Sequence, residues 1–272
     1  MIRLIIVITL CVIGKISAQD FQGIATYSTD RKLEIQLDST QVNSEMQKQI
    51  HEMMRKQFQK EYTLRFNKET SVYKEEESLG APQPASGMQI MIAGSGASDI
   101  LFKNTKEEKF VAQRDMLGKM FLVKDTLTHY NWKLSNETKK IGNYNCYKAT
   151  MTRTQEIIRD IRVNGEEEKS EPETEEIEVV VWYTPEIPVN NGPANYWGLP
   201  GLIMEVNDGD LRVLCNKIVL NPSKKIEIEE PTKGKEVTET RFEEIMRKKM
   251  KEMQDRMPRR DDGNSIEIRI GG

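Results

Sequence analysis

Catalysis by side chains usually starts from a histidine, an activated thiol or hydroxyl, a metal-ligand cluster or a loop that cradles phosphate. This chain of 272 residues is poor in all of them. Its two histidines are His51 and His129. His51-Glu52 opens like the helix of a zinc protease, but Arg55 stands where the second imidazole must be, so no metal is held that way. Neither a Gly-x-Ser-x-Gly elbow nor a Gly-x-x-x-x-Gly-Lys loop occurs. The fourteen methionines, with Met53 and Met54 beside His51, could offer soft metal ligands, but their helical spacing reads as core. No metal and no cofactor is expected. Carboxylates are numerous, mostly in charge runs and on helix faces where solvation is their usual role. A hydrolase or isomerase working through paired carboxylates is the enzymatic alternative they leave open.

The segment from Thr184 to Gly201 is of another kind. It holds four prolines (Pro185, Pro188, Pro193, Pro200) and three glycines (Gly192, Gly198, Gly201). Proline fixes φ and glycine permits positive φ, so a defined irregular loop is expected. The candidate contact residues are Tyr196, Trp197, Gly198, Leu199, Pro200 and Gly201. The hexapeptide from Gly198 to Ile203 has no ionisable group, hydroxyl or thiol, so it is either a turn that aims the following strand or a contact surface. The turn, with Trp197 and Leu199 in the core, is the preferred reading.

The elements that must carry this loop are mainly strands. Gly23 to Leu37, Tyr62 to Phe66, Ile100 to Lys103, Lys109 to Gln113 and Met120 to Lys124 read as extended. Tyr144 to Thr154 and Glu176 to Thr184 are longer strand-like runs. Leu202 to Val206 and Leu211 to Leu220 flank Asp208-Gly209, a strong hairpin signal. Methionine-rich stripes at helical spacing predict helices over 43–60 and 238–257. The acidic run at 165–176 reads as a solvated hairpin loop, and 80–98 as a loose Gly/Pro/Ser stretch. The expected fold class is α+β, mainly antiparallel β: a curved sheet with one or two amphipathic helices packed on it.

Residues 1–18 carry Arg3, an apolar run from Leu4 to Ile13 and small residues ahead of Gln19, the layout of a signal peptide. The run is too short for a bilayer span, so no transmembrane segment is expected in the mature chain. Cleavage after Ala18 would remove Arg3 and Lys15 and shift the net charge from −3 to −5. A mildly acidic chain gives no reason to expect nucleic acid. Cys146 and Cys215 are then the remaining cysteines, and an even count in an oxidising compartment reads as one disulfide, with two separate buried thiols as the alternative.

Several stretches together resemble the GLPGLI family. They are Trp132-Lys133-Leu134, Ile141-Gly142, Tyr144 to Ala149, Trp182 to Pro188, Gly192-Pro193, the hexapeptide itself and Glu205. The resemblance is clearest over about 125–220 and extends to Lys233-Gly234-Lys235 and the late helix. It implies an exported protein of a Gram-negative envelope, periplasmic or secreted, with no established activity. The expected layout is a signal peptide (1–18), one domain of that family (19–258) and a tail (259–272). The expected function is non-catalytic: binding of an apolar ligand or an envelope protein partner on the curved sheet.

Overall fold

A computed structural model describes residues 21–31, 34–35, 59–76, 99–157, 160–163, 166–169, 173–256 and 268–269. The signal-peptide segment, nearly all of the helix expected over 43–60 and the 80–98 stretch lie outside these residues.

The first half of the chain supplies β1 (Gln22–Arg31), β2 (Glu34–Ile35), β3 (Glu61–Asn67), β4 (Thr70–Glu75), β5 (Ile100–Asn104), β6 (Lys109–Met116) and β7 (Lys119–Thr126). Then come β8 (Lys133–Ile141), β9 (Tyr144–Ile157), β10 (Asp160–Val163), β11 (Glu166–Lys169) and β12 (Glu173–Thr184). After the Pro/Gly segment follow β13 (Leu202–Asp208), β14 (Leu211–Leu220), β15 (Lys235–Val237), the helix α1 (Glu239–Arg256) and β16 (Ile268–Arg269).

Twelve strands form one sheet in the order β15-β7-β6-β5-β4-β3-β1-β14-β13-β12-β9-β8. Every neighbouring pair is antiparallel except β15 on β7. Two small ladders, β10 with β11 and β16 with β2, stand apart from it. The acidic run therefore forms part of a hairpin, with β10 and β11 beyond the ends of β9 and β12.

Strand alternation decides what the sheet buries. Ala25 and Tyr27 on β1, Leu64 and Phe66 on β3, and Val179 and Val181 on β12 are fully buried in one apolar cluster. A second cluster gathers Phe110, Ala112, Phe121, Val123, Trp197 and Phe242 at the β6–β7 end.

The α+β expectation is corrected here. Among the described residues there is one helix, and the fold is dominated by a single large open sheet. The helix covers only the β6–β7 end, where Phe242 meets Phe121 edge to face at 5.5 Å and Arg114 pairs with Glu239 at 2.8 Å. Among the described residues, the Pro/Gly segment adds Ile187, Val189 and Leu199 to the main apolar cluster, away from that helix.

Candidate functional site

The chain leaves β12 at Thr184 and returns to it at Leu202, its register partner. In between it turns tightly and repeatedly. Val189 N–H donates to Ile187 C=O at 2.8 Å, and Asn191 N–H donates to Val189 C=O at 2.9 Å. These two-residue steps bury Ile187, Val189 and Asn191 and leave Pro188 and Asn190 outside. Leu202 N–H then donates to Ile187 C=O and Ile203 N–H to Asn191 C=O, both at 3.0 Å, which ties the segment to the first residues of β13. Tyr27, fully buried on β1, adds a hydroxyl donor to Ile203 C=O at 2.8 Å.

The far end of the segment is held by Lys103 on β5. This lysine is fully buried, and its ammonium donates to the carbonyls of Gly192 (2.8 Å), Ala194 (2.7 Å) and Tyr196 (3.3 Å). Its three N–H groups thus meet alternate carbonyls of one loop, with Ala194 held at a φ of +44°. Burial pushes the Lys103 pKa down to about 7. Ser71, opposite Lys103 on β4, is also fully buried, and its hydroxyl has no hydrogen-bond partner among the described residues.

The same contacts require the sheet to curl. Five strand steps separate β5 from β13, about 24 Å on a flat sheet. Yet Gly192, whose carbonyl accepts from Lys103 on β5 at 2.8 Å, lies directly against Ile203 on β13, and Ile203 N–H donates to the neighbouring Asn191 C=O, a gap that one lysine side chain could not span on a flat sheet. The sheet wraps around the segment.

Within the hexapeptide region the expected site residues separate into two groups. Trp197, Leu199 and Gly201 are buried, Gly198 and Pro200 are exposed, and Tyr196 is half-buried. Trp197 donates its indole N–H to Thr128 C=O at 2.8 Å. Gly198 has a φ of +96°, the left-handed region that glycine tolerates. Gly201 is required for another reason: a Cβ there would lie 2.2 Å from Thr184 O.

Around this rim stand residues that the sequence reading did not single out as a site. Tyr130 stacks on Tyr196 with centroids 6.0 Å apart, and Trp132 lies 5.5 Å from Tyr130. Trp132 donates its indole N–H to Trp197 C=O at 2.9 Å, and Tyr196 donates its hydroxyl to Asp208 at 2.5 Å. Burial, then the hydrogen bond and charge of Asp208, push the Tyr196 hydroxyl well above its ordinary range. Asp208 is also paired with Arg153 at 2.7 Å. The Tyr-x-Trp spacing at 130–132 was the available signal for the shelf. A lysine inside the apolar run Ile100-Leu101-Phe102 was the signal for Lys103.

Among the described residues, the carboxylate alternative meets one buried acid, Glu205 on β13. Burial works to raise its carboxyl. Hydrogen bonds from Lys139 and Asn207 and the charges of Lys139 and Arg212 outweigh that and hold it below the usual carboxylate range. Lys139 also sits over the Trp182 ring, 4.3 Å from its centroid. An anion saturated by two cations is a poor general acid or base.

The expected disulfide is not formed. Cys146 on β9 and Cys215 on β14 are buried free thiols, and burial pushes their pKa values up to about 11 and about 12. Both lie in the same apolar cluster, and Cys146 adds to the rise at Cys215, but no bridge joins them in this structure. Trp197 points into the core, and 80–98 lies outside the described residues. Two surface depressions are largely polar, one lined by Thr63, Arg65, Val72, Lys74, Glu75 and Glu76, the other running from Ser28 to Asp30 and across to Arg212. No described helix is long and apolar enough to cross a membrane.

Among solved structures the chain is similar to PNGF-II in two crystal forms, C2 and P21, at 14% identity and TM-scores of 0.48 and 0.47. Each alignment covers 84% of this chain and 33% of the other, so the chain spans about a third of the length of PNGF-II. No curated protein matches. Residues 132–205 match the family model described as "Protein of unknown function (Porph_ging)". That span runs from Trp132, bonded to the loop, to Glu205 on β13, and takes in β8, β9, β12 and the whole Pro/Gly segment. It fits the resemblance read from the sequence in place and in its lack of a known activity, without carrying the GLPGLI name: over these residues the chain is similar to an uncharacterised family.

Proposed function

We propose that this is an exported, non-catalytic envelope protein that holds a protein partner on the aromatic shelf of Tyr130, Trp132 and Tyr196. The observation that carries the reading is how these rings are fixed. They pack in series, Tyr130 stacked on Tyr196 and tilted against Trp132, half-buried, while their polar atoms are engaged internally by Asn195 C=O, Trp197 C=O and Asp208. What they offer outward is ring surface, pre-ordered at little entropic cost, as at many protein interfaces. Glu205 is held as a structural ion, which speaks against the carboxylate enzyme.

The test uses protein exported by its native host, whose intact mass is expected to lack residues 1–18. Cross-linking in the intact envelope should then give a saturable adduct with one partner. Tyr130→Ala should remove most of that adduct while leaving urea stability within about 1 kcal/mol, as for a half-exposed ring. Trp197→Ala, in contrast, should cost about 3–5 kcal/mol because it empties part of the second core cluster. An adduct undiminished in Tyr130→Ala refutes the shelf.

A further inference from the structure

The hairpin of β9 and β12 continues past the rest of the sheet. β12 pairs with β9 from Glu173 to Tyr183, but with β13 only from Val179 to Thr184. On the other side, β8 leaves β9 at Thr150. Among the described residues, Met151–Ile157 and Glu173–Glu178 therefore form a two-stranded ribbon whose outer edges pair with no strand. An open edge presents a row of backbone donors and acceptors, which is a template for another extended chain.

The charge on this ribbon narrows what could lie there. Between residues 152 and 178 the sequence has ten acidic and four basic residues, a net −6. The whole chain is −3, so the remainder carries +3. One of the four basic residues, Arg153, is paired with Asp208. Glu175, Glu176 and Glu178 are exposed along the open part of β12. Asp208, the last residue of β13, stands where a continuation of that strand would begin. Two copies of this ribbon laid edge to edge would repel each other, whereas a cationic strand would be attracted and held in register.

We propose that the outer edge of β12 at Glu173–Glu178 takes an extended, Lys- or Arg-bearing segment of a partner protein by strand addition, in line with β13. Main-chain hydrogen bonds supply the binding, and the glutamates select the charge. The residues differ from those of the aromatic shelf, and neither proposal depends on the other.

Fluorescence anisotropy of the full chain tests this with a labelled short peptide of alternating Lys and Val. Controls are the same peptide N-methylated along one backbone edge, and a Glu–Val peptide. The Lys–Val peptide should bind, N-methylation should weaken it about tenfold or more, and the Glu–Val peptide should not bind. The full chain carrying Glu175→Lys, Glu176→Lys and Glu178→Lys together should lose the Lys–Val peptide while keeping its circular dichroism spectrum. Equal binding of the N-methylated peptide would mean a merely electrostatic contact and overturn strand addition. Failure of the Lys–Val peptide to bind the unaltered chain overturns the proposal as a whole.

Discussion

Lys103 offers a stability measurement whose sign is unusual for a lysine. Its ammonium is fully buried and donates to three loop carbonyls, with no carboxylate among its hydrogen-bond partners. Burial lowers its pKa from 10.5 to about 7. The unfolded chain therefore binds a proton that the folded chain has begun to release once the pH exceeds about 7, so stability should rise with pH above that point. The upper end of the window is set by other groups. The unfolded thiols ionise near 9.0 and the tyrosines near 10.0, while burial raises Cys146, Cys215, Tyr27 and Tyr73 in the fold, so these oppose stability at higher pH. From pH 7 to 9 the Lys103 contribution integrates to about 2 kcal/mol on these values. The three carbonyls favour the charged form and make that figure an upper bound.

Lys103→Met removes the titration and shortens the side chain by one heavy atom. Its absolute stability depends on how well three orphaned carbonyls are tolerated, at about 1–3 kcal/mol each. The pH slope does not depend on that balance. Urea melts of both proteins between pH 7 and pH 9 should therefore converge or diverge by about 2 kcal/mol, with the parent gaining stability relative to the variant. Parallel lines would show that the carbonyl cradle keeps the ammonium charged throughout, and would refute burial as the dominant effect.

Gly201→Ala should be more damaging than Gly198→Ala. The first drives Cβ to 2.2 Å from the Thr184 carbonyl oxygen and should shift or break the β12–β13 junction, whereas the second meets only Trp132 at 3.4 Å. For Gly198 the cost is backbone strain at a φ of +96°, about 1 kcal/mol or somewhat more, measurable by urea melts. A larger loss for Gly198 would contradict the packing of the loop. Thiol labelling should report two free cysteines after denaturation without reductant, and almost none before it, because both are buried. Zero labelled thiols in denatured material would mean that the two cysteines are bridged.

Much of the local structure was legible in the sequence. The alternating runs at 62–66, 109–113, 144–154 and 176–184 are strands, extended by a few residues at their ends. Asp208-Gly209 turns β13 into β14, and the methionine stripe after Thr238 forms α1. Pro and Gly marked 184–201 as a defined loop, and Gly198 has the positive φ that its residue type allows. These are consequences of steric and periodic preferences that act within a few residues, so they can be read along the chain.

The order of strands was not of that kind. A period of two says which side chains share a face and nothing about which strands are neighbours, so β1 beside β14 and the parallel β15 on β7 had to come from the fold. The same holds for the covering layer. Helical stripes read as helices packed on a sheet, whereas among the described residues the main cluster takes Ile187, Val189 and Leu199 from a loop whose apolar residues show no helical spacing. Cys146 and Cys215 illustrate the limit as well, because an even count invites a bridge and only the tertiary structure shows two free thiols in one apolar cluster. Lys103 meets Gly192 across 89 residues of sequence. Nothing near residue 103 predicts three carbonyls at that distance along the chain. Only the curl of the sheet brings them to one buried ammonium, because a charge out of water is tolerated where its hydrogen-bond partners are already in place.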